Sequence, residues 1–262
     1  MSGFVPLRTP APGPQGCGGI LPYMGAIIPA ILPVSREDLD QRLMRLRGVT
    51  DEVQIDIVDG RFVSPPSWPY AGMPGGASSL AEDDELLELG SFRFEVDLMV
   101  EEPERVISRW VRAGATRITV HAETTHHLAD VIRDFQVKYG HDKGFAPELL
   151  SFGLALNLAT DTSLIEPFPD QCDYVQFMGI AKIGKQGEPF DARVIPKLRA
   201  FHRKYPDMPL QVDGAVTRET APQLLEAGAT RLVVGSALFG APDLREEMRA
   251  FEELMQTRGL YT

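Results

Sequence analysis

Three short apolar segments each carry an aspartate flanked by residues that alternation turns to the same side. In Val53-Gln-Ile-Asp-Ile-Val-Asp-Gly60, Gln54, Asp56 and Val58 share one face of a strand and Ile55 and Ile57 the other. Glu95, Asp97 and Met99 alternate in the same way with Phe94, Val96 and Leu98, and Gln211 and Asp213 with Leu210 and Val212. An ionised carboxylate in such a strand is costly to bury without a partner. Three brought to one interior repel one another and call for a cation, a shared proton or donors between them. No lysine or arginine on these strands is an obvious partner.

The surrounding text shows what positions them. Strands are expected over 26–32, 53–60, 92–100, 117–122, 151–158, 174–180, 209–216 and 231–237, each followed by a helical segment. Ser35 is a fitting N-cap for a helix to Arg47, with Asp38 in the N3 place of a capping box. A short acidic helix is read over Leu80–Leu89, and Glu102-Pro103 opens one to Ala113. Further helices run from His127 to Tyr139, from Ser163 to Pro167 and from Ala192 to Lys204. Thr217 caps one over Arg218–Ala227, and Asp243–Gln256 closes the chain. Eight parallel βα units argue for an α/β fold of the closed (β/α)8 TIM-barrel type. Residues 1–22, rich in Pro and Gly, are read as a flexible arm, and 23–262 as the barrel.

Composition narrows the function. The chain has 262 residues and a formal charge of −11, which disfavours nucleic acid and anionic membranes as partners. No apolar run approaches the roughly 18–20 residues of a membrane span. Two cysteines, Cys17 and Cys172, suggest neither a disulfide framework nor a thiolate metal site, so a reducing cytoplasm is the expected compartment.

In a barrel of this kind, inward residues near the carboxyl ends of the strands line the active site. The inward set then includes Met99, His121 on strand four, Asn157 on strand five, and Gln176 and Met178 on strand six. Asn157 and Gln176, taken singly, read better as a hydrogen-bonded core layer. Strands seven and eight end in Gly214-Ala215 and Gly235-Ser236, small residues whose backbone N–H groups can approach an anion. Phosphate sites commonly lie at these two loops. The loop after strand six, with Lys182, Gly184 and Gly187, adds further donors. Trp68 and Tyr70 in the Pro/Gly-rich loop after strand two either floor a lid or pack the loop. His126 and His127 read as surface residues.

These segments resemble the ribulose-phosphate 3-epimerase family over Ile28 to about Phe239. The likeness is carried by Pro29-Ala-Ile-Leu32, Gln54-Ile-Asp-Ile-Val-Asp-Gly60 with Phe62-Val63, Val96-Asp-Leu-Met-Val100, Thr119-Val-His-Ala-Glu123, Ala155-Leu-Asn157, Val212-Asp-Gly214 and Gly235-Ser-Ala237. The resemblance implies a barrel of the ribulose-phosphate-binding type, a sugar-phosphate substrate and no nucleotide cofactor. It also implies a divalent metal held by two histidines and two aspartates, with the aspartates serving as acid and base on opposite faces of the substrate. Asp56 and Asp213 fall on those aspartates, while Gln54 and Asp97 stand at the histidine positions. Ala30 replaces a family serine, and Met178-Gly-Ile-Ala-Lys-Ile-Gly-Lys-Gln-Gly187 departs from the family's loop pattern. A metal set of Gln54, Asp56, Asp97 and Asp213 is all oxygen, which favours Mg²⁺ or Mn²⁺ over Zn²⁺. An assembly of identical chains is expected.

The leading expectation is an isomerase that epimerises a phosphorylated ketose, ribulose 5-phosphate to xylulose 5-phosphate or a related sugar phosphate. A second is a Schiff-base lyase or aldolase using Lys182, although a solvated loop lysine or phosphate contact is the preferred reading of that residue. A third is a sugar-phosphate-binding protein without turnover.

Overall fold

The computed structural model describes residues 25–73, 78–79, 92–140 and 150–257. The arm over 1–22 and the acidic helix over Leu80–Leu89 lie outside them. Eight parallel strands close in sequence order: β1 (Ala26–Ile31), β2 (Glu52–Val58), β3 (Arg93–Met99), β4 (Ala115–His121), β5 (Ser151–Leu156), β6 (Tyr174–Met178), β7 (Leu210–Asp213) and β8 (Arg231–Val234). β8 pairs back onto β1, with Pro29 beside Val234. Around them lie α1 (Arg36–Leu46), α2 (Ile107–Arg112), α3 (Leu128–Tyr139), α4 (Val194–Lys204), α5 (Ala221–Glu226), α6 (Ser236–Phe239) and α7 (Leu244–Gln256). No helix among the described residues is long and apolar enough to cross a membrane.

Outward strand residues such as Ile55, Val96, Ile118, Leu154 and Phe177 pack in one apolar layer against Leu43, Trp110, Phe135 and Leu198 of the helices. Trp68 and Tyr70 belong to this layer, so they pack the loop after β2 and do not cover the strand ends. Trp68 meets Trp110 edge-on at 6.2 Å, and its N–H donates to the Pro33 carbonyl at 2.8 Å.

Helix starts follow local side-chain chemistry. Ser35 accepts from Asp38 N at 3.1 Å, and the Asp38 carboxylate reaches back to Val34 N at 3.1 Å. Asp243 caps α7 by accepting from Arg245 N and Glu246 N. Three expected helices and one expected strand are corrected. Glu102 takes a left-handed conformation (φ 53°) and Val106 N bonds the Pro103 carbonyl, so a 3₁₀ turn over Pro103–Arg105 precedes α2. Thr217 and Thr220 bond each other's backbone N–H reciprocally, at 2.8 and 3.3 Å, in a capping turn that delays α5 to Ala221. The segment near Ser163 is a 3₁₀ turn, Thr162–Leu164, held by Asp161 accepting from Ser163 N. Finally, β8 stops at Val234 and Ser236 already begins the short helix α6.

The lower interior of the barrel is ionic. Glu95, fully buried, accepts from Arg117 Nε at 3.1 Å and from an Arg231 terminal nitrogen at 2.9 Å, and Arg231 also reaches Glu52 at 2.7 Å. The Arg117 guanidinium lies 3.9 Å from the Tyr174 ring centroid, and the Tyr174 hydroxyl meets Thr119 Oγ1 at 2.7 Å. Gly153 makes room for that ring, since a Cβ there would lie 2.2 Å from its atoms. The cations come from strands four and eight, and they serve Glu95. Burial alone would raise the Glu95 pKa, but Arg117 and Arg231 outweigh it and hold the carboxyl below its ordinary value.

A depressed folded-state pKa gives stability that is complete above the unfolded value of about 4.5 and lost as pH falls through the folded value. Glu95→Gln strands two buried guanidinium groups. It should therefore lower stability near pH 7 by about 3–5 kcal/mol, and the deficit should shrink below pH 4. Urea denaturation of both proteins across pH 3–7 measures this, and an unchanged midpoint at pH 7 would contradict it.

Candidate active site

The ends of β2, β3 and β7 bring Asp56, Asp97 and Asp213 together, with one oxygen of each within 4.8 Å of the others. Asp56 and Asp97 are direct neighbours in the β2–β3 register, and Asp213 sits beside Met178 across β6–β7. This is the convergence that alternation required. Glu95 belongs one layer lower, with the arginines.

Donors meet these carboxylates from below. Gln54 Nε2 donates to Asp56 Oδ1 at 2.8 Å and to Asp213 Oδ2 at 2.9 Å, and Gln176 Nε2 donates to Asp97 Oδ2 at 2.9 Å. Asp97 Oδ1 has no hydrogen bond; His121 Nε2 stands 3.3 Å away but misaligned for one. Burial pushes the Asp56 pKa well above its ordinary value, and the charges of Asp213 and Asp97 push it further. Burial and then Asp97 raise Asp213 to about 7. For His121, burial disfavours the cation, but Asp97 outweighs it and the pKa rises. Burial and mutual repulsion thus act in the same direction on Asp56 and Asp213, towards the protonated form.

Above the aspartates lies a cleft open to solvent. Asp56, Met99, Met178, Gly184, Gly187, Asp213, Gly214, Ala215, Gly235 and Ser236 all line it, as their places at the strand ends predict. Gly214 (φ 104°) and Ala215 (φ 52°) turn the chain sharply after β7, and a Cβ at Gly214 would press on Ile180. Gly179 lets β6 close against β7, its N–H donating to the Asp213 carbonyl at 2.6 Å.

Three expected positions fall differently. His121 is fully buried beside Asp97 and the Phe62 ring and does not line the cleft. Lys182 is exposed and outside the lining, where its neighbours Lys185 and Gln186 take part instead. Gln54 turns its amide nitrogen, not its carbonyl, to Asp56 and Asp213 and donates to both. Gln186, which sequence reasoning passed over, donates to the Ala30 carbonyl at 3.3 Å across the cleft mouth. Its signal was the glutamine that closes the family's loop pattern. Asn157 lies just past β5, its N–H donating to Glu123 at 2.7 Å.

Three carboxylates with all-oxygen donors and one unbonded buried oxygen, Asp97 Oδ1, fit a hard divalent cation.

Comparison with known proteins agrees with this geometry. The Ribulose-phosphate 3 epimerase family matches residues 26–239. The chain is 32% identical over 226 residues to a ribulose-phosphate 3-epimerase of Bacillus subtilis, covering 84% of this chain and 94% of that one. It is 30% identical over 234 residues to the chloroplastic ribulose-5-phosphate-3-epimerase of Arabidopsis thaliana, covering 86% and 75%. Among solved structures, 3-hexulose-6-phosphate synthase from Salmonella typhimurium superposes with TM-score 0.61 at 13% identity, covering 89% of this chain and 99% of that one. At that identity the likeness speaks for the fold alone. The sequence match and the strand-end carboxylates together place this chain in the ribulose-phosphate 3-epimerase family, whose named members are carbohydrate epimerases.

Proposed function

We propose that this chain epimerises ribulose 5-phosphate to xylulose 5-phosphate by proton transfer between Asp56 and Asp213. The observation that carries the reading is the placement of these two carboxylates on β2 and β7, both lining one cleft, with burial raising the pKa of each. Inversion at a carbon beside a ketone removes a proton from one face and returns one to the other. A carboxylate on each side meets that need, one as base and the other as acid, with the roles exchanged in the reverse direction.

The remaining residues act around that pair. Gln54 bonds both carboxylates and so holds their spacing. Met99 and Met178 give the reacting carbon an apolar surround that keeps water from the enediolate. Gly214, Ala215, Gly235 and Ser236 expose main chain to the substrate phosphate, with Lys185 as the nearby cation of the lining. A divalent cation held by Asp56, Asp97 and Asp213 would supply positive charge for the developing enediolate oxygen. The oxygen donor set favours Mg²⁺ or Mn²⁺. The exposed place of Lys182, outside the cleft lining, supports this proton-transfer reading over a Schiff-base lyase.

Three outcomes test the reading. Wild type incubated with ribulose 5-phosphate in deuterium oxide should incorporate deuterium at the carbon beside the ketone, and Asp56→Asn or Asp213→Asn should lose about 10²–10⁴-fold in net epimerisation. No exchange in the wild type with any ketose phosphate rejects the epimerase, and loss confined to Lys182→Ala moves the assignment to a lyase.

Removing the phosphate from the substrate should weaken binding strongly; equal affinity for the dephosphorylated ketose would misplace the phosphate site. Metal content after dialysis against Mn²⁺ should fall in Asp97→Ala, and stoichiometric metal in that variant would put the ion elsewhere.

A further inference from the structure

The amide groups beneath the aspartates all point the same way, and one arginine sets their direction. Arg231 Nε donates to Gln211 Oε1 at 2.7 Å. A guanidinium has only donors, so the Gln211 atom facing it must be the carbonyl oxygen and its NH₂ must face inward. That nitrogen has two protons to share among three acceptors, Gln54 Oε1 at 3.1 Å, Gln176 Oε1 at 2.8 Å and the Glu95 carboxylate. With the carbonyls of Gln54 and Gln176 both facing the Gln211 NH₂, their own NH₂ groups point upward. There they donate to Asp56, Asp213 and Asp97. Gln54, Gln176 and Gln211 are each 0% exposed, and Arg231 is 4% exposed, so water does not compete for these bonds.

We infer that Gln211, oriented by Arg231, is a positioning residue that keeps Gln54 a hydrogen-bond donor to Asp56 and Asp213 and prevents it from becoming a metal ligand. The inference rests on the reading of those aspartates as the proton-transfer pair, but its metal arm stands without it. Were Gln54 reversed, its carbonyl would face the carboxylates directly, a contact favourable only with a cation between them. Its NH₂ would also confront the NH₂ of Gln211. Donor and ligand are thus two states of one amide, and the Arg231–Gln211 bond selects the first. The consequence is a site in which a cation is held by three aspartates without a fourth protein ligand, leaving more of its coordination sphere to substrate and water.

Gln211→Glu inverts the device with little change in volume. A carboxylate at position 211 still accepts from Arg231, but it offers Gln54 and Gln176 only acceptor oxygens, so both amides must turn their NH₂ groups down and their carbonyls up. The expected result is a fall in kcat of about 10²-fold with KM within about twofold, because the phosphate loops are untouched. Mn²⁺, followed by the electron paramagnetic resonance of the free ion, should bind about tenfold more tightly. A merely structural role for Gln211 would loosen the ion along with catalysis. Mn²⁺ affinity that falls or stays the same therefore overturns the inference. If Gln211→Glu does not fold beside Glu95, Gln211→Met releases the same two amides and is read by the same two measurements. Absence of epimerase activity in the wild type would count against the assigned reaction, and the Mn²⁺ comparison would then decide the positioning role alone.

Discussion

Charge buried inside this barrel has to be balanced within the barrel, because an unpaired buried charge is costly. The lower layer is balanced by direct pairing: Glu95 and Glu52 face Arg117 and Arg231, and the Tyr174 ring lies flat against a guanidinium. Among the described residues no arginine or lysine pairs with the upper layer, and the group there that can carry positive charge is His121, 3.3 Å from Asp97. Asp56, Asp97 and Asp213 receive amide donors from below, and burial raises the pKa values of Asp56 and Asp213. A structural ion-pair network would have been completed at both levels. The imbalance at the upper level is what leaves this end of the barrel available for chemistry.

The two layers are also mechanically linked. Arg231 belongs to the ionic layer through Glu52 and Glu95, and to the amide layer through Gln211. Substituting it would disturb fold and site together, whereas Gln211 separates the two. The histidine positions of the family hold Gln54 and Asp97 here, and both replacements become intelligible in this setting. Asp97 adds a third carboxylate beside His121 and Gln176, while Gln54 contributes donors that bridge Asp56 and Asp213.

Much of this was legible in the sequence because strand periodicity is rigid. Alternation at Gln54/Asp56 and Gln211/Asp213 fixed which side chains face inward, and parallel closure could only bring them together. Small residues after β7 and β8 marked the cleft for the same reason. Helix boundaries were less legible, since they turn on hydrogen bonds such as the reciprocal Thr217–Thr220 pair, which sequence signals capture only in part. The ionic layer was missed because Arg117 and Arg231 lie at strand starts, where a charged residue reads as a solvated end. The loop after β6 could not be resolved by pattern: Lys182 and Lys185 differ by three positions, and only the backbone decides which one reaches the cleft.

The central claim is that burial and mutual repulsion raise the pKa values of Asp56 and Asp213 above those of ordinary carboxyls. Infrared difference spectroscopy of the metal-free protein tests it most directly, since ordinary surface carboxyls, with pKa values near 4, are fully ionised by pH 6. The account predicts a protonated-carboxyl stretch at pH 6 that weakens towards pH 9 and disappears in the Asp56→Asn, Asp213→Asn double variant. A wild-type spectrum at pH 6 with every carboxyl ionised would contradict it.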